Sequence, residues 1–290
     1  MACDRRTIYD RPMKTWFITG VSRGLGHALT QAALDRGDTV VGTVRNDTPS
    51  FRKAPGILHI LPLELADAVA VNETVGKAFK LCARIDVLVN NAGYGLLGAI
   101  EEATDAEMSR LVDVNLVAPM RLIRAALPFL RSQGSGHIIN ISSIAARSPY
   151  PGFGLYAAAK GGIEAFSEIL AVEVAPFGVK VTAVAPGVFR TDFLSEHSVR
   201  RSAANDAYGT TVNATLGYLD SIAGQQPGDP VRGAAAILMV VDAEKPPLHM
   251  LLGSDALQGA RATTASIIDE MDRWEAVTIG TDFPKAPGAR

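Results

Sequence analysis

Thr15-Trp16-Phe17-Ile18-Thr19-Gly20-Val21-Ser22-Arg23-Gly24-Leu25-Gly26 is the stretch on which the fold turns. Five residues of strand character run straight into a glycine cluster, and a helix-period segment from Leu25 to Arg36 follows. Glycine lets the chain turn tightly and brings backbone close to a ligand. A helix N-terminus adds free N–H groups and a partial positive charge. The spacing is GxxxGxG rather than GxGxxG, so taken alone it fits either a phosphate-holding loop or a plain glycine-rich turn.

The same alternation continues outward from this unit. Gly37-Asp38 ends the first helix, and Thr39 to Val44 reads as a β-branched strand. Strands at Ile57–Leu63, Ile85–Asn90, His137–Ser142 and Lys180–Val184 are each near-continuous apolar runs, as expected where helices cover both faces of a parallel sheet. Helices are predicted at Asp67–Cys82, Asp105–Leu130 and Tyr156–Val174. An irregular stretch from Pro186 to Pro230 precedes a helix near Val231–Val241 and a last strand at Leu248–Leu252. The expected fold class is α/β, a doubly wound parallel Rossmann-type sheet in a three-layer α/β/α single domain. Residues 1–13 read as a flexible tail, 14–255 as one domain with a lid at about 188–230, and 256–290 as a helical extension.

Composition narrows the function. With 290 residues, 48% hydrophobic and 20% charged, the chain can bury a full core. A net charge of −2 provides no basic field for nucleic acid or an anionic membrane. No apolar run reaches the roughly 18 residues that span a bilayer, and the start does not read as a signal peptide. Two cysteines, Cys3 and Cys82, make a disulfide framework improbable, so a reducing cytoplasm is expected. The five histidines lack metal-ligand spacing, and no metal is expected.

Tyr156 and Lys160 carry the chemistry. Four residues apart on a helix, they share one face. A phenol with a pKa near ~10 is a poor proton shuttle at neutral pH. A cation at roughly 4 Å in a partly desolvated cleft contributes on the order of 4 kcal/mol, about three pKa units. Alone, the pair could equally be a solvated helix face.

With its neighbours it is more specific. Thr19-Gly20-x-x-x-Gly24-x-Gly26, Asn90-Asn91-Ala92-Gly93, Ser143 thirteen residues before Tyr156, Lys160, and Pro186-Gly187 followed by Thr191 occur in order on the expected elements. From about Lys14 to Asp255 the chain resembles the short-chain dehydrogenase/reductase family, in its shorter single-domain branch. The resemblance implies an oxidoreductase that interconverts a ketone or aldehyde and an alcohol by hydride transfer. Tyr156 would be the general acid/base, Lys160 would lower its pKa and bind the nicotinamide ribose, and Ser143 would orient the carbonyl. Asn115 matches the family asparagine that holds a relay water, though by itself it also reads as a satisfied buried amide. Gly20, Ser22, Arg23, Gly24, Leu25 and Gly26 would form the phosphate loop. Asn91, Ala92 and Gly93, with Pro186, Gly187, Val188 and Thr191, would line the cofactor. Glu64-Leu65 stands where the family usually places Asp-Val or Asp-Leu at the adenine.

Cofactor choice rests on charge after the second strand. An acid there would bind a ribose 2′-hydroxyl. This chain has Arg45, with Arg23 in the glycine loop, and two guanidiniums favour NADP(H). Tyr94, Leu96, Tyr150, Phe153, Phe189 and Phe193 are expected to build a pocket for a bulky, apolar carbonyl or alcohol substrate, with Arg190 the one nearby cation. A catalytically silent NADP(H)-binding sensor is the competing reading. The expected assembly is a homodimer or homotetramer.

Overall fold

Trp16, Phe17 and Ile18 are all buried, yet they serve opposite faces of one strand. In the computed structural model, which describes residues 12–46, 49–195 and 197–283, Trp16 and Ile18 belong to one apolar cluster and Phe17 to another. A strand sandwiched between two helical layers needs apolar residues on both sides, which accounts for its unbroken hydrophobic run.

The sheet has seven parallel strands in the order β3-β2-β1-β4-β6-β7-β9. These are β1 (Thr15–Thr19), β2 (Thr39–Val44), β3 (Ile57–Pro62), β4 (Val87–Asn90), β6 (Gly136–Ile141), β7 (Val179–Pro186) and β9 (His249–Leu252). Helices α1 (Gly24–Asp35) and α7 (Pro230–Asp242) pack together over one face. Over the other lie α2 (Ala68–Cys82), α4 (Ala118–Gln133) and α5 (Gly154–Val174), around Leu122, Ile123 and Leu170. From β1 the chain winds outward through β2 and β3, then returns to place β4 on the other side of β1. This reversal opens a crevice at the carboxyl ends of β1 and β4, where ligands bind in open α/β sheets.

Three features depart from the sequence reading. The helix expected over Asp105–Leu130 is α3 (Asp105–Val112) and α4, joined by one wider π-helical turn at Asp113–Val117 that contains Asn115. The stretch expected to be irregular holds β8 (Val199–Arg201), paired parallel with β5 (Gly95–Leu97), and α6 (Ala214–Ser221). The extension is one 26-residue helix, α8 (Ser254–Ile279). The tail expected at residues 1–13 falls almost wholly outside the described residues.

His137, buried at the start of β6, makes the sheet acid-sensitive. Thr182 Oγ1 donates to Pro247 O at 2.7 Å and therefore accepts from His137 Nε2–H at 2.9 Å. His137 Nδ1 then has no partner among the described residues. Burial, and secondarily Lys180 and Lys14, lowers the imidazole from its ordinary 6.5 to about 3. A depressed folded pKa means the stabilisation is whole above pH 6.5 and drains as pH falls towards 3. The loss is expected to reach on the order of 4 kcal/mol. Urea midpoints taken from pH 7 to pH 4 should fall more steeply for the wild-type chain than for His137→Leu, and parallel slopes would contradict this.

Candidate active site

The glycine loop is laced to two strand ends. Thr43 O accepts from Gly20 N at 3.0 Å and Val21 N at 3.1 Å. Thr19 Oγ1 accepts from Asn91 N at 3.0 Å and Ala92 N at 3.1 Å. The Asn91 amide donates to Thr19 O at 2.9 Å and Gly20 O at 3.0 Å. Asn91 borders the cleft, but its side chain braces the loop, a use the sequence reading did not foresee. Gly20 has φ +72°, and a Cβ there would lie 2.8 Å from Ala92 Cβ. A Cβ at Gly26 would run into the Asn91 amide and the Gly20 carbonyl. The loop feeds α1, whose N-cap residue Arg23 makes no side-chain cap, and Gly24 and Leu25, which open the helix, border the cleft.

The proton-bearing groups sit deeper. Tyr156 and Lys160 lie one turn apart on α5, each 5% exposed. Ser143, which follows β6, borders the cleft beside the phenol, and its hydroxyl acts to lower the phenol's pKa. Lys160 Nζ donates to Ile141 O at 2.8 Å and lies 5.8 Å from the Tyr156 ring centre. Burial pushes the phenol up to about 12, opposed by the Ser143 hydroxyl, and brings the ammonium down to about 8. The depression of Tyr156 by Lys160 expected from spacing alone is thus not what this geometry produces. Desolvation disfavours both charged forms and outweighs their attraction.

Asn115 is 1% exposed, and the π turn points it at the chain after β4. Its Oδ1 accepts from Tyr94 N at 3.1 Å and its Nδ2 donates to Tyr94 O at 2.7 Å. A Cβ on Gly93 would meet Asn115 Oδ1 at 2.9 Å and Lys160 Nζ at 3.6 Å, so Gly93 keeps the two side chains near one another. Adjacent Ser142 instead donates to Lys160 O at 3.2 Å.

Gly20, Gly24, Gly93, Ser143, Tyr156 and Lys160 border one cleft of about 510 Å³, and Asn115 is not on its wall. Glycine-loop residues, Arg23, Arg45, Glu64 and Leu65 line one end; Ser143, Tyr156, Lys160 and the Pro186–Thr191 segment line the middle. Arg23 and Arg45 make no ion pair among the described residues, which suits them to an anion. Glu64 is partly committed: Oε1 accepts from Ala66 N at 3.1 Å, and Oε2 lies 3.7 Å from Arg110. Val188 N donates to Asp255 Oδ2 at 2.7 Å, which fastens the Pro186–Val188 turn to the start of α8.

Beyond the phenol the wall is aromatic. Phe193 and Phe153 lie 5.7 and 6.3 Å from the Tyr156 ring, and Tyr150 lies 5.9 Å from Phe153. Two of the expected pocket residues are placed differently. Leu96 is buried in β5, packed with Leu111 and Tyr156, and is not on the cleft wall. Phe189 touches the cleft, but its ring packs against Gly228 and Gly233 of α7. Arg190 turns away to donate to Gln226 O at 3.2 Å. The sequence reading missed Thr215, Tyr218 and Leu219 of α6, together with Arg110, His197 and Arg200, all on the wall. Val212, Leu216 and Leu219, spaced four and three apart, were the available signal for α6.

The cleft therefore fits a phosphate-bearing dinucleotide: a loop that admits no Cβ at Gly20 or Gly26, a helix start without a side-chain cap, and two guanidiniums with no ion pair among the described residues. Comparison with known proteins agrees with the fold. The family model for short chain dehydrogenases matches residues 14–202. An oxidoreductase of Botryotinia fuckeliana, BOA17, is 36% identical over 274 residues, covering 92% of this chain and 99% of that protein. The crystal structure of a short-chain dehydrogenase from Streptomyces avermitilis is 38% identical, with a TM-score of 0.85 over 94% of this chain and all of that one. A metagenomic short-chain oxidoreductase solved in complex with NADP is 26% identical, with a TM-score of 0.63 over 82% of this chain and 96% of that one. A strand order that reverses at β1, a cradle that only glycine can form, and Ser143, Tyr156 and Lys160 gathered beside it are accounted for together: the chain belongs to the short-chain dehydrogenase/reductase family of oxidoreductases.

Proposed function

We propose that this oxidoreductase is an NADP(H)-dependent carbonyl reductase or alcohol dehydrogenase acting on a bulky, largely apolar ketone or secondary alcohol. The observation that carries the reading is the buried Tyr156 phenol, beside Ser143 and walled by Phe153 and Phe193, in the same cleft as Arg23 and Arg45. When bound, the nicotinamide supplies the hydride that reduces the carbonyl carbon. Ser143 donates a hydrogen bond to the carbonyl oxygen, an interaction that strengthens as the oxygen gains charge. Tyr156 gives its proton to that oxygen. A phenol pushed up to about 12 is fully protonated at neutral pH, the form reduction requires. The Lys160 ammonium, one turn away, offsets the negative charge left on the phenolate oxygen. Asn115 fixes the turn carrying Gly93 and Tyr94.

The test is NADPH consumption over matched ketones that differ by methylenes or by an added carboxylate. Each well-buried methylene is expected to gain about 0.8 kcal/mol, roughly fourfold in kcat/KM. Phe193→Ala should flatten the series, since this ring closes the wall beside the phenol. A series flat in the wild-type chain, or a clear preference for the carboxylate, would overturn the apolar assignment; the latter would point to Arg110 and Arg200.

A further inference from the structure

Helix α8 leaves the body of the protein and keeps going. Ala256 and Ala260 are buried against Ile144, and Ser148 Oγ lies 3.3 Å from Thr263 Oγ1. From Thr264 to Phe283 every residue is exposed. That segment is not a uniformly polar spacer. Thr264, Ile267, Met271, Trp274 and Thr278 recur at spacings of three, four, three and four, and Ile268 and Val277 flank them. Ile267 is 51% exposed, Met271 58% and Trp274 61%. Most helices owe their stability to a packed apolar face, and the three-four spacing is that of a helix–helix seam.

We propose that this face is covered by α8 of a second copy of the chain, packed antiparallel. The charges choose both the partner and its direction. The segment from Thr264 to Phe283 carries Asp269, Glu270, Asp272, Glu275 and Asp282 against Arg273 alone, so an anionic lipid surface would repel it. With Met271 of one copy over Ile267 of the other, antiparallel helices set Arg261 beside Glu275 of the second copy, twice by symmetry. The like-charged contact in that arrangement is Glu270 with its own copy near the two-fold axis. Parallel helices would instead set Glu270 against Glu275 twice, with no opposite pair in return.

The exposed large apolar side chains of the seam and its flanks offer on the order of 500 Å² per copy. In this register the far end of each helix, around Thr281, reaches Leu257 of the other copy. A Cβ at Gly259, next along, would lie 3.6 Å from Tyr150 Oη. The second copy thereby adds surface at the mouth of the substrate cleft, and brings the buried area towards the ~800 Å² per partner of a stable pair.

Sedimentation equilibrium of the full chain tests this. The wild-type assembly is expected to have twice the mass of Met271→Glu, while far-UV circular dichroism and the melting temperature of that variant confirm an intact body. Arg261→Glu and Glu275→Arg should each weaken association about tenfold, and the double variant should recover most of the loss. Trp274 emission should shift to the blue on association, against a constant signal from buried Trp16. Equal masses for wild type and Met271→Glu would overturn the proposal. So would a double variant no better than either single one, or a monomeric wild type that floats with neutral lipid vesicles.

Discussion

Carbonyl reduction by a Tyr156→Phe variant is expected to run ~10²–10⁴-fold slower than by the wild-type chain, the usual cost of removing a general acid. Affinity for NADPH should change little. The ring keeps its packing against Phe153 and Phe193, and only the phenolic oxygen is lost. Ser143 Oγ keeps the hydrogen bond it accepts from Ala145 N at 3.2 Å, so its placement does not depend on the phenol. The fold should therefore tolerate the change, and kcat measured beside a fluorescence titration with NADPH isolates the chemical step. Retention of more than a few per cent of kcat would sink the assignment of the proton donor.

The pH profile follows from the same two groups. Tyr156, pushed up to about 12, stays protonated throughout the working range, so its own titration does not limit reduction. Lys160, brought down to about 8, loses its charge as pH rises through that value. An ammonium that offsets phenolate charge acts only while protonated. Reduction should hold steady near neutrality and decline above pH 8, the limb being absent in Lys160→Met. Measured kcat/KM that stays level to pH 10 in the wild-type chain would contradict the role given to Lys160.

The central sheet was legible because each strand is apolar on both faces, a pattern that survives without tertiary information; β1 and β2 fall where they were expected. Local spacing likewise brought Ser143, Tyr156 and Lys160 together. What it could not supply was dielectric. The four-residue spacing of Tyr156 and Lys160 suggested a depressed phenol, whereas the depth of the site raises it. Side-chain direction was equally hidden: Leu96 is buried in β5, and Phe189 turns onto Gly228 and onto Gly233 of α7. The π turn at Asp113–Val117 leaves no mark because Leu111, Val112, Val114, Leu116 and Val117 are apolar on every side of it, so the apolar pattern does not reveal the shift of face. Helix α6 was obscured by the glycines in and around it, although Val212, Leu216 and Leu219 keep helical spacing.

NADPH is expected to be preferred over NADH, and Arg45→Asp to remove most of that preference. The register of the sheet brings the two arginines to one place. Thr19 pairs with Thr43, so β1 and β2 end side by side, and the Gly20 and Val21 amides bind Thr43 O. Arg45 leaves β2 two residues later, beside the loop that carries Arg23, and both border the cleft. A 2′-phosphate there would meet two guanidiniums able to fork onto its oxygens. A hydrogen bond to a charged group is worth about 1.5–3 kcal/mol, so losing one costs roughly ten- to a hundredfold in NADPH use. The introduced carboxylate adds repulsion of the phosphate and offers the ribose hydroxyls of NADH an acceptor. Arg45 is exposed, which places its own share towards the lower end and makes it salt-sensitive. The ratio of kcat/KM for the two cofactors should therefore shrink between about 0.05 M and 0.5 M salt in the wild-type chain. In Arg45→Asp it should stay near one at both. Equal use of NADH and NADPH by the wild-type chain at low salt would mean that these arginines face solvent and read no phosphate.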